Sequence, residues 1–376
     1  MTQTAFSGAT LFDGAQLLQD RVLLVEDGRI AAILEQAPEG ATPIRLAGGI
    51  LAPGLLDLQV NGAAGLWVCG QTDPAALQLM CDTQLRLGAT GILPTLITDS
   101  REATYKVLDA AVTAAASGMD GLLGIHLEGP HLDPKRKGAH DLTLIRPMDD
   151  QDLAAICTAA GKLPALMVTV APFSVTPEQI ATLAAAGVIV SLGHAECSFE
   201  EAAAAIKAGA RCATHLFNAM SQMGHRSPGL VGAALTHPIY AGLIADGEHV
   251  SLPAMQVALA AKQQGIFLVS DCMSVAGTDI ASFDLGGRRI TRANGRLTLD
   301  DGTLAGADLT LPQAIANVVK LGITPERALA MATSVPAKLL TRQDIGSLRV
   351  GAHADLVHLG ADFALQSVWT KGEKRV

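Results

Sequence analysis

The chain has 376 residues, enough for one barrel-sized domain of about 250 residues with a smaller one appended. Its formal net charge is -9 with no long basic run, which excludes an extended nucleic-acid surface and a polybasic membrane contact. Hydrophobic residues make up 49%, yet no stretch reaches the ~18 uninterrupted apolar residues of a bilayer-spanning helix, so a soluble chain with a large core is expected.

The opening MTQTAFSGATLFDGAQ lacks the basic start, apolar run and small-residue cleavage site of a secretory signal, and a cytoplasmic location is the expectation. Within residues 1–50, TAFSGATLF, RVLLVEDGRI and AAILE are short β-type runs punctuated by Gly and Asp-Gly, as in hairpins. The segment 345–376 alternates in the same way, in SLRVGAHADLVHLG and ALQSVWTKGEKRV. The two ends are therefore predicted to pair into one small β domain flanking a centre of residues 51–344.

Through that centre, apolar runs alternate with Ala-rich segments of helical periodicity. In chain order the runs are GLLDLQV, GILPTL, LLGIHLEG, ALMVTVAP, VIVSLGH, RCATHLF, YAGLIADG and IFLVSD, eight in all. Segments between them, such as DPAALQLMCDTQLRLGA and EQIATLAAAG, end near Gly as helices do. Eight strand and helix alternations without a break in composition predict a (β/α)8 barrel rather than a doubly wound sheet. Six cysteines are scattered with no C-x-x-C pair, which predicts reduced core thiols rather than a zinc knuckle or a disulfide framework.

Barrels of this kind gather their reactive groups at the carboxyl ends of the strands. The first run ends in Gln59 and Asn61, the third in His126 and Glu128, the fifth in His194, the sixth in His215, the seventh in Asp246 and His249, and the eighth in Asp271. Glu128, His194 and His215 offer one carboxylate and two imidazoles, a set suited to zinc or another borderline divalent cation with a position open for water. Iron, cobalt and manganese accept the same ligands, so the sequence leaves the ion open. Taken singly, each histidine fits a buried structural role at least as well, and only the joint placement points to a metal.

Asp271 is positioned to take a proton from water and return it to a leaving group, the alternative being a helix cap. His249, in ADGEH, reads as a hydrogen-bond donor to a developing oxyanion, or as a structural histidine after its strand. His126 shares a strand face with Glu128 and reads as orienting a metal site rather than binding the ion. Lys135, Arg136 and Lys137 form either a local positive patch or a solvated run.

The motifs DLQVNG, HLEGP, Gly193-His194, THLFNAM, RSPG, IADGEH, SDCM and TLAG occur in that order over essentially the whole chain. Their order resembles that of the N-acetylglucosamine-6-phosphate deacetylases of the amidohydrolase superfamily. The resemblance implies a (β/α)8 barrel beside a small β-sandwich built from both ends, hydrolysing the acetamide of N-acetylglucosamine 6-phosphate to glucosamine 6-phosphate and acetate. It also implies a homodimer in which one subunit helps close the other's site.

By the same resemblance Glu128, His194 and His215 bind one divalent metal per subunit, zinc first among the candidates, and Asp271 is the proton acceptor and donor. Substrate contacts carried over are Ala139, His140, Asn218, Ala219, Arg226, Asp246, Gly247, Glu248, His249, Leu304, Ala305 and Gly306. Arg226 would reach the phosphate across the dimer, a task that suits its planar fork. Many amidohydrolases carry His-x-His at the end of the first strand as ligands for a second metal, where this sequence has Gln59-Val60-Asn61. Neutral carboxamides are weak ligands, so one tightly bound metal is expected. The chain departs from the family pattern at Phe173, in the LWVCG loop after Gly65 and in SDCMSVAG around Asp271. Two other readings remain open: a different amide substrate on the same barrel, and a phosphosugar sensor without catalysis.

Overall fold

A computed structural model describes residues 3–376. Eight strands form one sheet in chain order: Leu55–Val60, Ala89–Ile97, Ile125–Glu128, Leu166–Val170, Ile189–Leu192, Cys212–Ala213, Tyr240–Leu243 and Ile266–Leu268. Beyond the last of these, Cys272 bridges Val60 in parallel fashion. Asp271 N donates to Gln59 O at 3.0 Å and Asn61 N to Cys272 O at 2.9 Å, so the sheet closes on itself. Every one of the eight apolar runs has become a barrel strand, and the fold is the expected (β/α)8 barrel.

Helices follow the strands, among them Arg101–Ala116, Pro177–Ala185 and Phe199–Ala208. Two begin in reciprocal capping boxes, Thr176 with Gln179 and Ser198 with Glu201, which satisfy backbone donors that the first helical turn leaves unpaired. The strands Leu55–Val60, Ile125–Glu128, Leu166–Val170 and Ile189–Leu192 are buried along their whole length, as a parallel sheet covered on both faces requires. No helix among the described residues is long and apolar enough to cross a membrane. All six cysteines are unpaired, and Cys81, Cys197, Cys212 and Cys272 are buried.

Close approach in the barrel is visible at Gly124, which enters the third strand at φ +141. A Cβ there would lie 1.9 Å from Ala165 O, a backbone atom that cannot swing aside. Gly124→Ala should therefore lower the thermal midpoint, the backbone strain alone costing about 1–3 kcal/mol. A melting curve superimposable on the wild type would contradict this.

An additional sheet interrupts the chain after the eighth strand, where the sequence reading placed substrate contacts at Leu304, Ala305 and Gly306 but no strands. Ser282–Leu285, Arg288–Ala293, Arg296–Leu299 and Leu304–Ala307 form four antiparallel strands. Its first two turns are two-residue loops, Gly286-Gly287 and Asn294-Gly295, all four residues having positive φ as such hairpins require. Leu285, Ile290, Leu297 and Ala305 pack with Met273 and Val275 into a core of their own.

Contacts divide the chain into two units, residues 58–83 with 92–309, and residues 1–57 with 84–91 and 310–376. The second contains two sheets. One is four-stranded, with Gln3–Ser7 and Val22–Glu26 at its centre; the other is six-stranded and joins Thr10–Phe12 and Ile50–Pro53 to Leu356–Leu359 and Leu365–Thr370. Phe6, Leu23 and Ile30 from one meet Leu11, Leu51, Leu356 and Trp369 from the other, with Phe6 and Trp369 edge to face at 5.3 Å. This is the β-sandwich expected from the two chain ends.

Candidate active site

Three side chains converge at the carboxyl ends of the third, fifth and sixth strands. Glu128 Oε1 lies 2.9 Å from His215 Nε2 and 3.2 Å from His194 Nε2, and the two nitrogens are 3.1 Å apart. His194 Nδ1 donates to Arg136 O at 2.8 Å, which leaves Nε2 as a lone pair facing the other two atoms. Three electron-pair donors facing one another repel unless a cation lies between them. A tetrahedral ion with bonds of about 2.0–2.1 Å sets its ligand atoms about 3.3 Å apart, close to the spacing here, so the donor set fits one divalent metal.

Burial opposes ionisation of Glu128, but the imidazoles of His194 and His215 beside it outweigh burial and hold the carboxyl well below its ordinary value. Burial also disfavours charge on His215, and there the Glu128 bond and charge prevail and raise it. Gln59 Nε2 donates to Glu128 Oε1 at 3.2 Å, bracing the carboxylate from the first strand.

Asp271 faces this cluster from the eighth strand, with Asn61 Nδ2 donating to its Oδ1 at 2.7 Å. Burial, and then the charge of Glu128, push its carboxyl up to about 6. His249 is held by Asp246, whose Oδ2 accepts from Nδ1 at 2.6 Å and whose Oδ1 accepts from the His249 backbone at 2.8 Å.

His140 Nδ1 accepts from the Thr98 backbone N–H at 3.2 Å and lies 2.8 Å from Thr98 Oγ1, so its ring proton sits on Nε2. His126 bonds into the barrel interior, Nδ1 to Leu58 O at 3.1 Å and Nε2 to Thr169 Oγ1 at 2.7 Å. Burial lowers it to about 4 and keeps it neutral. Thr169 continues through Thr214 to Ser191 in 2.7 Å steps, a hydroxyl chain spanning adjacent strands inside the barrel.

Above the cluster lies a cavity of about 410 Å³. Of the residues expected to touch substrate, Ala139, His140, Asn218, Ala219, His249, Leu304, Ala305 and Gly306 line it, together with Asn61, Glu128, His194, His215 and Asp271. Asp246 stands behind His249, Gly247 is outside the lining, and Glu248 pairs with Arg296 of the inserted sheet. Arg226 lies in an exposed run, residues 222–227, and does not line this cavity. Phe173 is 65% exposed and likewise outside the lining. Arg136, of the basic run, is paired with Glu196.

Sequence reasoning missed the apolar wall made by Ile97, Ile244, Met273 and Leu285, and the contribution of Gly302 and Thr303. Leu285 and residues 302–306 belong to the inserted sheet or its last turn, whose Arg288 donates to Ala139 O across the mouth. The signal was present as Gly-Gly and Asn-Gly turns between alternating residues. His194, His215, Ala219 and Asp271 all sit on left-handed backbone, with φ of 45, 29, 48 and 50.

The sequence pattern of the amidohydrolase family matches residues 50–375. The chain belongs to the amidohydrolase family. Similar amidohydrolases include N-acetylgalactosamine-6-phosphate deacetylase of Shewanella sp. (strain ANA-3), 35% identical over 97% of this chain and 94% of the relative. N-acetylglucosamine-6-phosphate deacetylase of Vibrio furnissii is 34% identical over 98% and 94%. The crystal structure of N-acetylglucosamine-6-phosphate deacetylase from Pasteurella multocida matches with a TM-score of 0.96 and 33% identity, over 100% of both chains. This amidohydrolase is accordingly an enzyme of that superfamily, with a buried cluster fit for one divalent metal.

Proposed function

We propose that this amidohydrolase removes the acetyl group of N-acetylglucosamine 6-phosphate, giving glucosamine 6-phosphate and acetate. The observation that carries the reading is that Glu128, His194, His215, Asp271 and His249 line one cavity although they come from five different strand ends. The names of the Vibrio and Pasteurella relatives support the glucosamine epimer. The Shewanella relative favours a second reading, N-acetylgalactosamine 6-phosphate, which differs at one carbon.

A divalent cation held by Glu128, His194 and His215 supplies Lewis-acid chemistry, polarising an oxygen and making water a stronger acid. Asp271 takes a proton from the attacking water as the new C–O bond forms at the acetamide carbonyl. His249 donates to the oxygen that becomes negative, and His140 offers its Nε2–H to the sugar. Collapse of the tetrahedral species breaks the C–N bond, and Asp271 returns its proton to the nitrogen, because an amide anion is a very poor leaving group.

Arg226 is proposed to bind the phosphate of a substrate held by a neighbouring subunit in a homodimer. Its exposure, outside its own cavity, is the placement such a role needs. Primary-amine release from phosphorylated and bare N-acetylglucosamine and N-acetylgalactosamine tests the reading, since the enzyme should prefer the phosphorylated glucosamine epimer. No amine from any phosphorylated sugar would overturn it. In the same assay Arg226→Ala should raise KM for the phosphosugar by roughly 10–100-fold, the worth of a charge-assisted hydrogen bond, with little effect on the bare sugar. Equal losses on both would refute the assignment of Arg226.

A further inference from the structure

Asn61 ends the first barrel strand, lines the cavity and is 3% exposed. Its backbone is pinned on both sides: Asn61 N donates to Cys272 O at 2.9 Å, and Val68 N donates to Asn61 O at 2.9 Å. Its carboxamide is split between two fates. Nδ2 donates to Asp271 Oδ1 at 2.7 Å, whereas Oδ1 is buried with no hydrogen-bond partner among the described residues. A buried acceptor without a partner is costly, and in a reactive cavity it marks a place where a donor arrives with the reactants.

The two observations together define a geometry for the base. A primary amide does not titrate, so Nδ2 remains a donor at every pH and every stage of turnover. The oxygen it faces must then remain an acceptor. Among the described residues the Asn61 bond is the one hydrogen bond recorded for the Asp271 carboxylate, which leaves Oδ2 available.

Resting on the deacetylase reading above, we propose that Asn61 is a positioning residue that reserves Asp271 Oδ1 as an acceptor, so that the proton moves on and off Oδ2 alone, while Asn61 Oδ1 accepts the remaining O–H of the attacking water. In the forward step one O–H bond of water breaks, its proton goes to Asp271 Oδ2, and the oxygen bonds to the acetamide carbon. In the second step Oδ2 gives that proton to the nitrogen as the C–N bond breaks, leaving acetate and a free amine. The balance needs no other reagent. Without Asn61 the proton can settle on either oxygen, and the attacking water loses one of the bonds that aims its lone pair.

Metal-loaded Asn61→Ala and the nearly isosteric Asn61→Asp test this. Measured together are metal content, KM, kcat across pH, and the ¹³C NMR titration of the Asp271 carboxyl, assigned by its loss in Asp271→Asn. Metal content and KM should stay near wild type, while kcat falls about 10–100-fold, the usual cost of a misplaced reacting group. The acid limb of kcat and the carboxyl titration should both move to higher pH, because the lost bond favoured the ionised carboxylate. In Asn61→Asp the move should be larger, since two facing carboxylates must share a proton.

Variants that are folded and metal-loaded with kcat and the Asp271 titration unchanged overturn the proposal. So does a loss of kcat that follows metal loss with the titration unmoved, which a merely structural role would give. If wild-type enzyme releases no amine from any N-acetylhexosamine 6-phosphate, the deacetylase reading fails on its own. The titration then still decides whether Asn61 governs the proton on Asp271.

Discussion

Asp271→Asn is expected to keep its fold, its metal and its affinity for a competitive inhibitor while losing about 10²–10⁴-fold in kcat, the range general acid–base catalysis usually contributes. One residue serves both proton transfers here, so the loss should fall at the upper end. Asp271 holds φ of 50, and asparagine tolerates left-handed backbone better than other residues bearing a side chain. The substitution therefore changes chemistry without forcing the strand end to move. What it removes is a buried carboxylate whose proton affinity burial raises, a group able to accept and release a proton. An amide nitrogen cannot do this. Metal content, inhibitor affinity and kcat measured on one preparation separate the outcome from misfolding. A folded, metal-loaded variant retaining more than about a tenth of wild-type kcat would lie outside the range for a catalytic base and return Asp271 to a structural role.

Chelation should abolish turnover and addition of a single equivalent of divalent metal per chain should restore it. The one-metal stoichiometry follows from the first strand, where Gln59 and Asn61 turn amide N–H groups to Glu128 and Asp271, and a neutral carboxamide oxygen is a weak ligand beside carboxylate and imidazole. Glu128→Gln should keep the barrel yet lose most of its metal, because the only anionic member of the cluster has gone while His194 and His215 still face each other at 3.1 Å. Thermal stability should fall with the metal: a ligand bound at 1,000 times its Kd adds about 4 kcal/mol to folding, and that increment disappears on chelation. Elemental analysis and melting curves with and without chelator give both readouts. Two tightly held ions required for activity, or a Glu128→Gln enzyme that holds its metal and works, would contradict the assignment.

The barrel was legible because its signal is long-range and repetitive: eight apolar runs, each covered on both faces, leave a pattern no local ambiguity can hide. Glu128, His194, His215 and Asp271 were legible because polar groups at the ends of buried strands need a reason. The inserted sheet was not found, although Gly286-Gly287 and Asn294-Gly295 have the chemistry of two-residue hairpin turns. Its strands are short, and Arg288, Arg289, Arg292 and Arg296 break the apolar alternation on which the reading relied. Those arginines reach instead for carbonyls and carboxylates, Arg288 for Ala139 O and Arg292 for Asp308, partners that no spacing rule could supply. The Asn61 and Asp271 contact joins residues 210 positions apart and became visible only once the barrel had closed.

Left-handed backbone at His194, His215, Ala219 and Asp271 bears on how such a sequence can change over generations. Each of these conformations is costly for a residue with a Cβ, on the order of 1–3 kcal/mol where strain is full, and glycine would relieve it at once. Selection for stability alone would therefore erode the positions to which metal binding, substrate contact and proton transfer are assigned in the proposed function. A copy of this gene released from its metabolic duty should drift toward glycine or asparagine at these strand ends while its barrel core stays intact.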